Sequence, residues 1–248
     1  MKKALYTVDN QKNLAPGIFE MTLCGDCGDI TRPGQFVNIA LPGFYLRRPV
    51  SVCERFADSF RIIYKTVGEG TLFMSGLEKG AKLDIITGLG NGFDLKNAGP
   101  RPLLAGGGVG ISPLLWLAKL LISGGARVTC CLGFNTAGDM FCVNEFIDAG
   151  AEVFVTTADG SCGTKGFPTD VMRKVTDYSR FFACGPEAML MQVCRVSATG
   201  GQLSFEERMG CGFGACMGCS RKTVSGSKRI CKDGPVFEKD EVLWQTAP

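Results

Sequence analysis

The 248-residue sequence contains no histidine. Without imidazole it cannot build a Ser-His-Asp or Cys-His triad, a histidine–zinc hydrolase site or a Rieske cluster. Chemistry must rest on cysteine, carboxylate, lysine, hydroxyl or a bound cofactor. Clustered positive charge is also missing. The 27 Lys and Arg stand against 24 Asp and Glu, a net +3, and no basic run exceeds a pair such as Lys2-Lys3 or Arg47-Arg48. Nucleic-acid binders usually carry a concentrated basic face, so no nucleic-acid partner is expected. Nor is there a long apolar run: the most apolar stretch, 109–122, includes Lys119 and is shorter than the ~20 residues a membrane helix needs. The basic first residues lead into no apolar core of the kind a signal peptide has. No membrane association is expected, and a reduced, cytoplasmic protein is.

What is present in quantity is cysteine, thirteen in all. The number is odd, and its share falls below the roughly 8–10% of short disulfide scaffolds. With 45% hydrophobic residues the chain can build cores without staples, and at about 100–150 residues per domain its length suggests two.

Residues 1–98 read as β-rich. Short apolar runs at 18–24, 36–41, 50–54, 60–67 and 82–87 are separated by turns such as Arg32-Pro33-Gly34 and Leu41-Pro42-Gly43, a spacing that predicts five or six strands in a barrel or sandwich. The glycine-rich stretch from Gly88 to Pro100 marks a boundary. Over 99–200 the rhythm becomes strand and helix in alternation: strands at 102–105, 127–133, 152–156 and 180–183, helices at 111–123, 143–149 and 187–197. Such alternation predicts a parallel α/β sheet. Residues 201–248 lose it and become rich in glycine and cysteine.

That tail holds the strongest motif. Cys211, Cys216 and Cys219 are followed after eleven residues by Cys231, the C-x4-C-x2-C…C spacing of a plant-type [2Fe–2S] ligand set. Gly210, Gly212, Gly214 and Gly218 allow backbone N–H groups to approach an anionic cluster. A structural zinc site is the alternative, although zinc ribbons favour two separate C-x2-4-C knuckles.

Two other loops suit a dinucleotide. Gly106, Gly107, Gly108 and Gly110 join a strand to a helix that begins near Pro113, a natural seat for a pyrophosphate. Cys184-Gly185-Pro186 again lies between strand and helix, and ligands of open α/β sheets bind at the carboxyl ends of strands. Asp159-Gly160-Ser161 follows the strand at 152–156 and could face the same crevice, or be an ordinary polar turn. The glycines could equally serve packing. No Arg pair marks a 2′-phosphate site, which leans towards NAD over NADP. In the β-rich part, Arg48 and Ser51, within Arg48-Pro49-Val50-Ser51, could hold a flavin phosphate through the planar guanidinium fork and the hydroxyl, or the arginines could be solvated. Ile63, Tyr64, Lys65, Gly70 and Thr71 offer further backbone and hydroxyl donors. Cys24 and Cys27 form a C-x2-C pair with no helix start or second pair nearby, and are read as incidental.

In this order, R-P-x-S, G-T, GGGxGxxP-L and C-G-P-x-x-M resemble the ferredoxin reductase family, in which a FAD-binding antiparallel β-barrel precedes an NAD(P)-binding parallel-sheet domain. The tail from Glu206 through Cys219, with Arg229-Ile-Cys231-Lys-Asp233-Gly-Pro-Val-Phe237, is very similar to the electron-transfer subunits of the NAD-dependent (type B) dihydroorotate dehydrogenases. The resemblance implies FAD at Arg48, Pro49, Val50, Ser51, Ile63, Tyr64, Lys65, Gly70 and Thr71. It implies [2Fe–2S] on Cys211, Cys216, Cys219 and Cys231, and Cys184 beside the nicotinamide, although a structural thiol there is the alternative. Many ferredoxin reductases have an aromatic residue where this chain has Val50, so flavin stacking must come from elsewhere or be absent.

The resemblance further implies an FMN-containing catalytic partner, in a heterotetramer of two of each chain. Electrons would pass from the partner's flavin through the cluster and FAD to NAD⁺ in pyrimidine biosynthesis. Related FAD/[2Fe–2S] subunits of ferredoxin:NADP transhydrogenases or sulfhydrogenases, and more distantly a non-enzymatic zinc-binding module, are the other readings.

Overall fold

A computed structural model of the chain describes residues 1–244. Its first part is a closed antiparallel barrel of β1 (Lys2–Ala15), β2 (Ile18–Cys24), β3 (Phe36–Ile39), β4 (Arg48–Arg55), β5 (Ser59–Lys65) and β6 (Lys82–Leu89), in the order β1-β2-β5-β4-β3-β6, with α1 (Glu69–Ser75) between β5 and β6. The apolar runs expected as strands are all here. The sequence reading lacked β1, the longest strand, because only Tyr6, Val8 and Ala15 of it are buried and bulges after Val8 and Asn13 break its alternation. It is held by pairing on both sides, which propensity does not report.

The second part alternates as predicted, with β10 and α4 as unpredicted additions: β7 (Pro102–Gly107), α2 (Ser112–Ser123), β8 (Thr129–Phe134), α3 (Val143–Asp148), β9 (Glu152–Thr157), β10 (Thr164–Lys165), α4 (Pro168–Met172), β11 (Arg180–Cys184) and α5 (Glu187–Val196). The tail adds β12 (Gly201–Ser204), the hairpin β13 (Ser220–Thr223) and β14 (Gly226–Arg229), and β15 (Val236–Glu238). The sheet order is β10-β9-β8-β7-β11-β12-β15, parallel except for β15. The strand rhythm, expected to stop near 200, thus continues into the tail: β12 and β15 complete the sheet. Both are too short and too varied in composition to stand out in sequence.

The parts are packed on one another. α2 buries Leu114, Leu115, Leu117, Ala118 and Leu121 in a cluster that also takes Cys53 and Ile63 from the barrel wall, while Trp116 joins the barrel's own core. A helix buried nearly all round belongs between two layers. Beside it lies a charged seam. Arg61 donates to Glu20 (3.0 Å), Glu54 (3.0 Å) and Glu145 of α3 (2.7 Å), and Lys119 of α2 pairs with Glu54 at 2.6 Å. Burial works to raise the Glu145 carboxyl, but the Arg61 hydrogen bond and charge overcome it and hold it below its usual value. A third core joins Phe36 of the barrel to Leu203, Phe205, Cys219, Ile230, Cys231 and Phe237 of the tail. The tail is also pinned by Asn91, whose side chain donates to the Val236 carbonyl (2.7 Å) and accepts from its N–H (3.1 Å).

Arg61→Leu leaves three carboxylates clustered with their common partner gone. Breaking a buried ion pair costs about 3–5 kcal/mol, and urea unfolding should show a loss of that size. In the wild type, the Glu145 contribution is complete above its ordinary pKa of 4.5 and fades as pH falls through the lower folded value; the variant should lose this slope. A loss under about 1 kcal/mol would mean that the seam behaves as a surface pair.

Candidate functional site

Three groups of residues singled out from sequence lie where these parts meet. On the barrel, Arg48, Pro49, Val50 and Ser51 open β4, facing Ile39, Asn38, Val37 and Phe36 of β3. Arg47 is engaged elsewhere, on the Asp84 carboxylate (2.9 Å) and the carbonyls of Asp84 and Asn38. Arg48 instead lies over the Phe44 ring, 5.0 Å from its centre, and donates to the Leu46 carbonyl. It lines a cavity of about 290 Å³ with Phe44, Val67, Gly68, Glu69, Gly70 and Thr71. A Cβ on Gly70 would stand 2.2 Å from Arg48 Nε, so glycine makes the room in which the guanidinium sits. The Thr71 hydroxyl accepts from the N–H groups of Val67 (2.9 Å) and Gly68 (3.2 Å), ordering the loop.

Arg48, Gly70 and Thr71 are therefore brought together. The side chains of Ile63 and Tyr64 do not line this cavity. Ile63 is buried in the barrel–sheet core, and Tyr64 is in the barrel core, its hydroxyl donating to Gln11 at 3.0 Å. Only their backbone could meet a ligand. Lys65 is exposed at the strand end, and Val50 packs against the barrel interior. Sequence reasoning missed Phe44, which pairs with Phe73 at 5.9 Å. An aromatic residue four positions before Arg48, across a Pro-Gly turn from β3, was the available signal.

At the sheet, β7 and β11 are direct neighbours, and the chain departs to β8 on one side and β12 on the other. The crevice at such a reversal is where open α/β sheets bind ligands. Both glycine loops stand there, and they touch. A Cβ on Gly110 would lie 2.5 Å from the Cys184 carbonyl oxygen, and one on Gly107 2.6 Å from Met189 Sδ. These two glycines answer a packing need, as the alternative reading of the loop had it. Gly108 has φ +53° and open space above it. Pro186 precedes α5 and is exposed, and Gly106 is buried against Ile111 and Leu114.

Cys184 ends β11 and is half-buried. Burial pushes its thiol up to about 12, against the Ser204 hydrogen bond, so it is a neutral thiol at neutral pH. Asp159, Gly160 and Ser161 lie on the same edge but beyond β8, two strands from β7. Asp159 accepts from the Ser161 N–H (2.9 Å) and hydroxyl (2.6 Å), and Ser161 Oγ accepts from the Ala137 N–H (2.7 Å). Those hydrogen bonds hold the Asp159 carboxyl below its usual range.

In the tail, Cys211 Sγ accepts from the N–H groups of Ala215 (3.2 Å) and Cys216 (3.4 Å), Cys216 Sγ from that of Cys211 (3.5 Å), and Cys219 Sγ from that of Cys231 (3.4 Å). The four thiols thus stand as two pairs. No three potential ligands among the described residues converge on one point, but Cys211 lies close enough to Cys231 to act on it electrostatically. The chemistry of the four thiols fits a cluster. Burial opposes ionisation of Cys211, yet the N–H donors of Cys216, Phe213 and Ala215 outweigh it and bring the thiol down to about 6. Burial, then the Cys219 hydrogen bond and negative charge, push Cys231 up to about 12. Accumulated thiolate charge is what a bound cation removes. Cys216 is exposed, Cys211 part-buried, and Cys219 and Cys231 are buried.

Comparison with known proteins agrees with this geometry. The family "Iron-sulfur cluster binding domain of dihydroorotate dehydrogenase B" matches residues 206–243. The dihydroorotate dehydrogenase B (NAD(+)) electron transfer subunit of Geobacillus sp. (strain WCH70) is 40% identical over 98% of this chain and 99% of its own length. The subunit of that name from Fusobacterium nucleatum subsp. nucleatum is 38% identical, over 95% and 96%. Among solved structures, an NADH-dependent reduced ferredoxin-NADP oxidoreductase overlays with a TM-score of 0.89 at 32% identity, covering 97% of this chain and 90% of that one. A ferredoxin reductase in carbazole 1,9a-dioxygenase shares the fold, with a TM-score of 0.66 at 21% identity over 79% and 65% of the two chains.

The contact between the glycine loops separates two substitutions. Gly110→Ala forces a methyl against backbone and should cost about 1–3 kcal/mol, as overpacking does. Gly108→Ala meets only its left-handed conformation, at about 1 kcal/mol. Denaturant unfolding of both variants measures the difference; equal losses would mean that the loops separate freely.

Proposed function

The chain belongs to the electron-transfer subunits of dihydroorotate dehydrogenase B, and from that membership we propose how it works. It is the subunit of an oxidoreductase complex that receives electrons from a dihydroorotate-oxidising partner and delivers them to NAD⁺. When bound, [2Fe–2S] exchanges single electrons, NAD⁺ accepts two as a hydride, and FAD converts between the two regimes.

The chain's residues hold and shield these groups. Cys211, Cys216, Cys219 and Cys231 are the cluster ligands. Arg48 holds flavin phosphate, with Ser51 and the backbone of Gly70 and Thr71 beside it. Pro49, Val50 and the backbone of Ile63, Tyr64 and Lys65 support the flavin ring. Gly106, Gly107, Gly108, Gly110, Gly185 and Pro186 form the nucleotide crevice. Asp159, Gly160 and Ser161 stand further along, towards the adenosine end, where the charged carboxylate favours NAD over a 2′-phosphate. Cys184, a neutral thiol, is no nucleophile; it fills space beside the nicotinamide and keeps water out.

The observation that carries this reading is the docking of the cysteine loop on the barrel. The Cys211 carbonyl is hydrogen-bonded to Asn38 of β3, and β3 is the ladder neighbour of β4, where Arg48 begins the cavity wall. The partner is an FMN-bearing chain, two copies with two of this one. Exposed Phe213 and Met217 beside Cys216 form its landing surface. Thirteen unpaired cysteines suit a reducing, cytoplasmic setting. The likeness to a ferredoxin-NADP oxidoreductase supports a second reading, a reductase subunit served by a ferredoxin-type donor.

Co-expression with a candidate dihydroorotate-oxidising chain should give a complex that reduces NAD⁺ with dihydroorotate. Cys219→Ser should lower that rate by more than the roughly 10–100-fold typical of losing a mere outer-shell partner, while dihydroorotate oxidation by an artificial dye persists. A complex that fails with dihydroorotate but accepts electrons from reduced ferredoxin would establish the second reading. Gly70→Ala tests the flavin site: the methyl displaces Arg48, and loss of a charged hydrogen bond worth about 1.5–3 kcal/mol should weaken FAD binding roughly 10–100-fold in a fluorescence titration, with the melting temperature of the flavin-free chain unchanged. Unaltered affinity would remove Arg48 from the phosphate site.

A further inference from the structure

Asn38 is 1% exposed, on a short strand whose other three residues are apolar. Its Nδ2 donates to the carbonyl of Cys211 at 3.1 Å, across 173 positions of sequence, and its Oδ1 has no hydrogen-bond partner. The backbone at this point is braced: Arg47 donates to the Asn38 carbonyl (3.2 Å) and the Asp84 carbonyl (3.0 Å). The loop side is equally close. Gly212 has φ +76°, and a Cβ there would lie 2.3 Å from Asn38 Nδ2, so only glycine lets the loop descend onto the amide.

A buried, unsatisfied oxygen costs about 1–3 kcal/mol. Leucine would occupy similar space without that penalty, so Asn38 is a poor choice for stability. What the amide supplies, and leucine does not, is one N–H aimed at the first cysteine of the loop. Two further N–H groups hold the sulfur of that same residue. Across the ladder from Asn38 stands Pro49, next to Arg48.

We propose that Asn38 is a positioning residue: its amide N–H fixes the backbone of Cys211 against the barrel and so sets the place of the cluster relative to the flavin strand. The inference rests on the functional reading above, in which Cys211 is a cluster ligand and β4 lines the flavin site. Outer-shell hydrogen bonds of this kind orient ligands and tune the metal they hold.

The test uses the purified, cofactor-loaded full chain and two variants whose side chains cannot hydrogen-bond, Asn38→Leu and the smaller Asn38→Val. Three quantities are read: iron and FAD content, the EPR spectrum of the reduced cluster, and the stopped-flow rate at which NADH reduces it. Both variants should keep FAD, show shifted or broadened EPR lines and reduce the cluster about 10–100-fold more slowly, while the urea midpoint of Asn38→Leu does not fall. FAD-loaded variants that lose iron with an unchanged midpoint would also support the proposal. Wild-type spectra and rates in either folded variant would overturn it, as would a drop in the Asn38→Leu midpoint with wild-type spectra and rates in Asn38→Val. A wild-type chain whose loaded cluster NADH cannot reduce would instead overturn the functional reading, and this inference with it.

Discussion

The burial of α2 on nearly every side is the constraint on which the arrangement depends. Its leucines close the sheet core, yet the same cluster includes Cys53 of β4 and Ile63 of β5, and Trp116 reaches into the barrel core. Fully burying one such side chain is worth about 1.5–3 kcal/mol, so barrel and sheet cannot part without exposing several at once. The consequence is geometric. α2 begins directly after the glycine loop at Gly106–Gly110, and β4 begins at Arg48. One rigid helix therefore ties the glycine-loop crevice to the strand that bears Arg48. The Arg61 seam fixes orientation on the same boundary, because each of its ion pairs accepts only a narrow geometry.

The tail is located by different physics. Its contribution to the sheet is two short strands, and polar contacts join the apolar core it shares with Phe36. Asn91 satisfies both backbone groups of Val236, acting as one more strand partner at the point where the chain comes back. Arg229 donates to the Gly214 carbonyl at 2.8 Å and pairs with Asp233, bracing the cysteine loop from behind. The loop itself carries few apolar side chains and is shaped by N–H groups directed at sulfur. Such a loop gains order from hydrogen bonds and from a bound group, more than from packing.

How legible this was follows from the same distinction. Strands of the barrel and the alternation of the sheet were readable because their apolar residues follow a period. β1 was not, since its pairing partners, and not its own composition, make it a strand. The four cysteines were readable by spacing alone, because ligand spacing reflects the size of what they surround. Arg48, Gly70 and Thr71 could be named singly, but their convergence depends on α1 folding back over the barrel, which no local pattern announces. Ile63 and Tyr64 were named for backbone and hydroxyl donors; the Tyr64 hydroxyl is spent on Gln11, which leaves their backbone. Gly107 and Gly110 show the opposite ambiguity: a glycine required for loop packing looks, in sequence, the same as one required for phosphate. Asn38 had no signature at all, being one polar residue in an apolar strand.

The cysteine loop also shows a gradient of exposure. Cys219 and Cys231 are buried with Phe36, Phe205 and Phe237, whereas Cys216 is exposed between the exposed side chains of Phe213 and Met217. A site open on one edge and packed against the barrel on the other suits one-electron traffic between a separate protein and a group held on the barrel. The missing histidine belongs to the same logic. Moving electrons between bound groups asks for ligands, spacing and exclusion of water, and places no demand for a base with a pKa near seven.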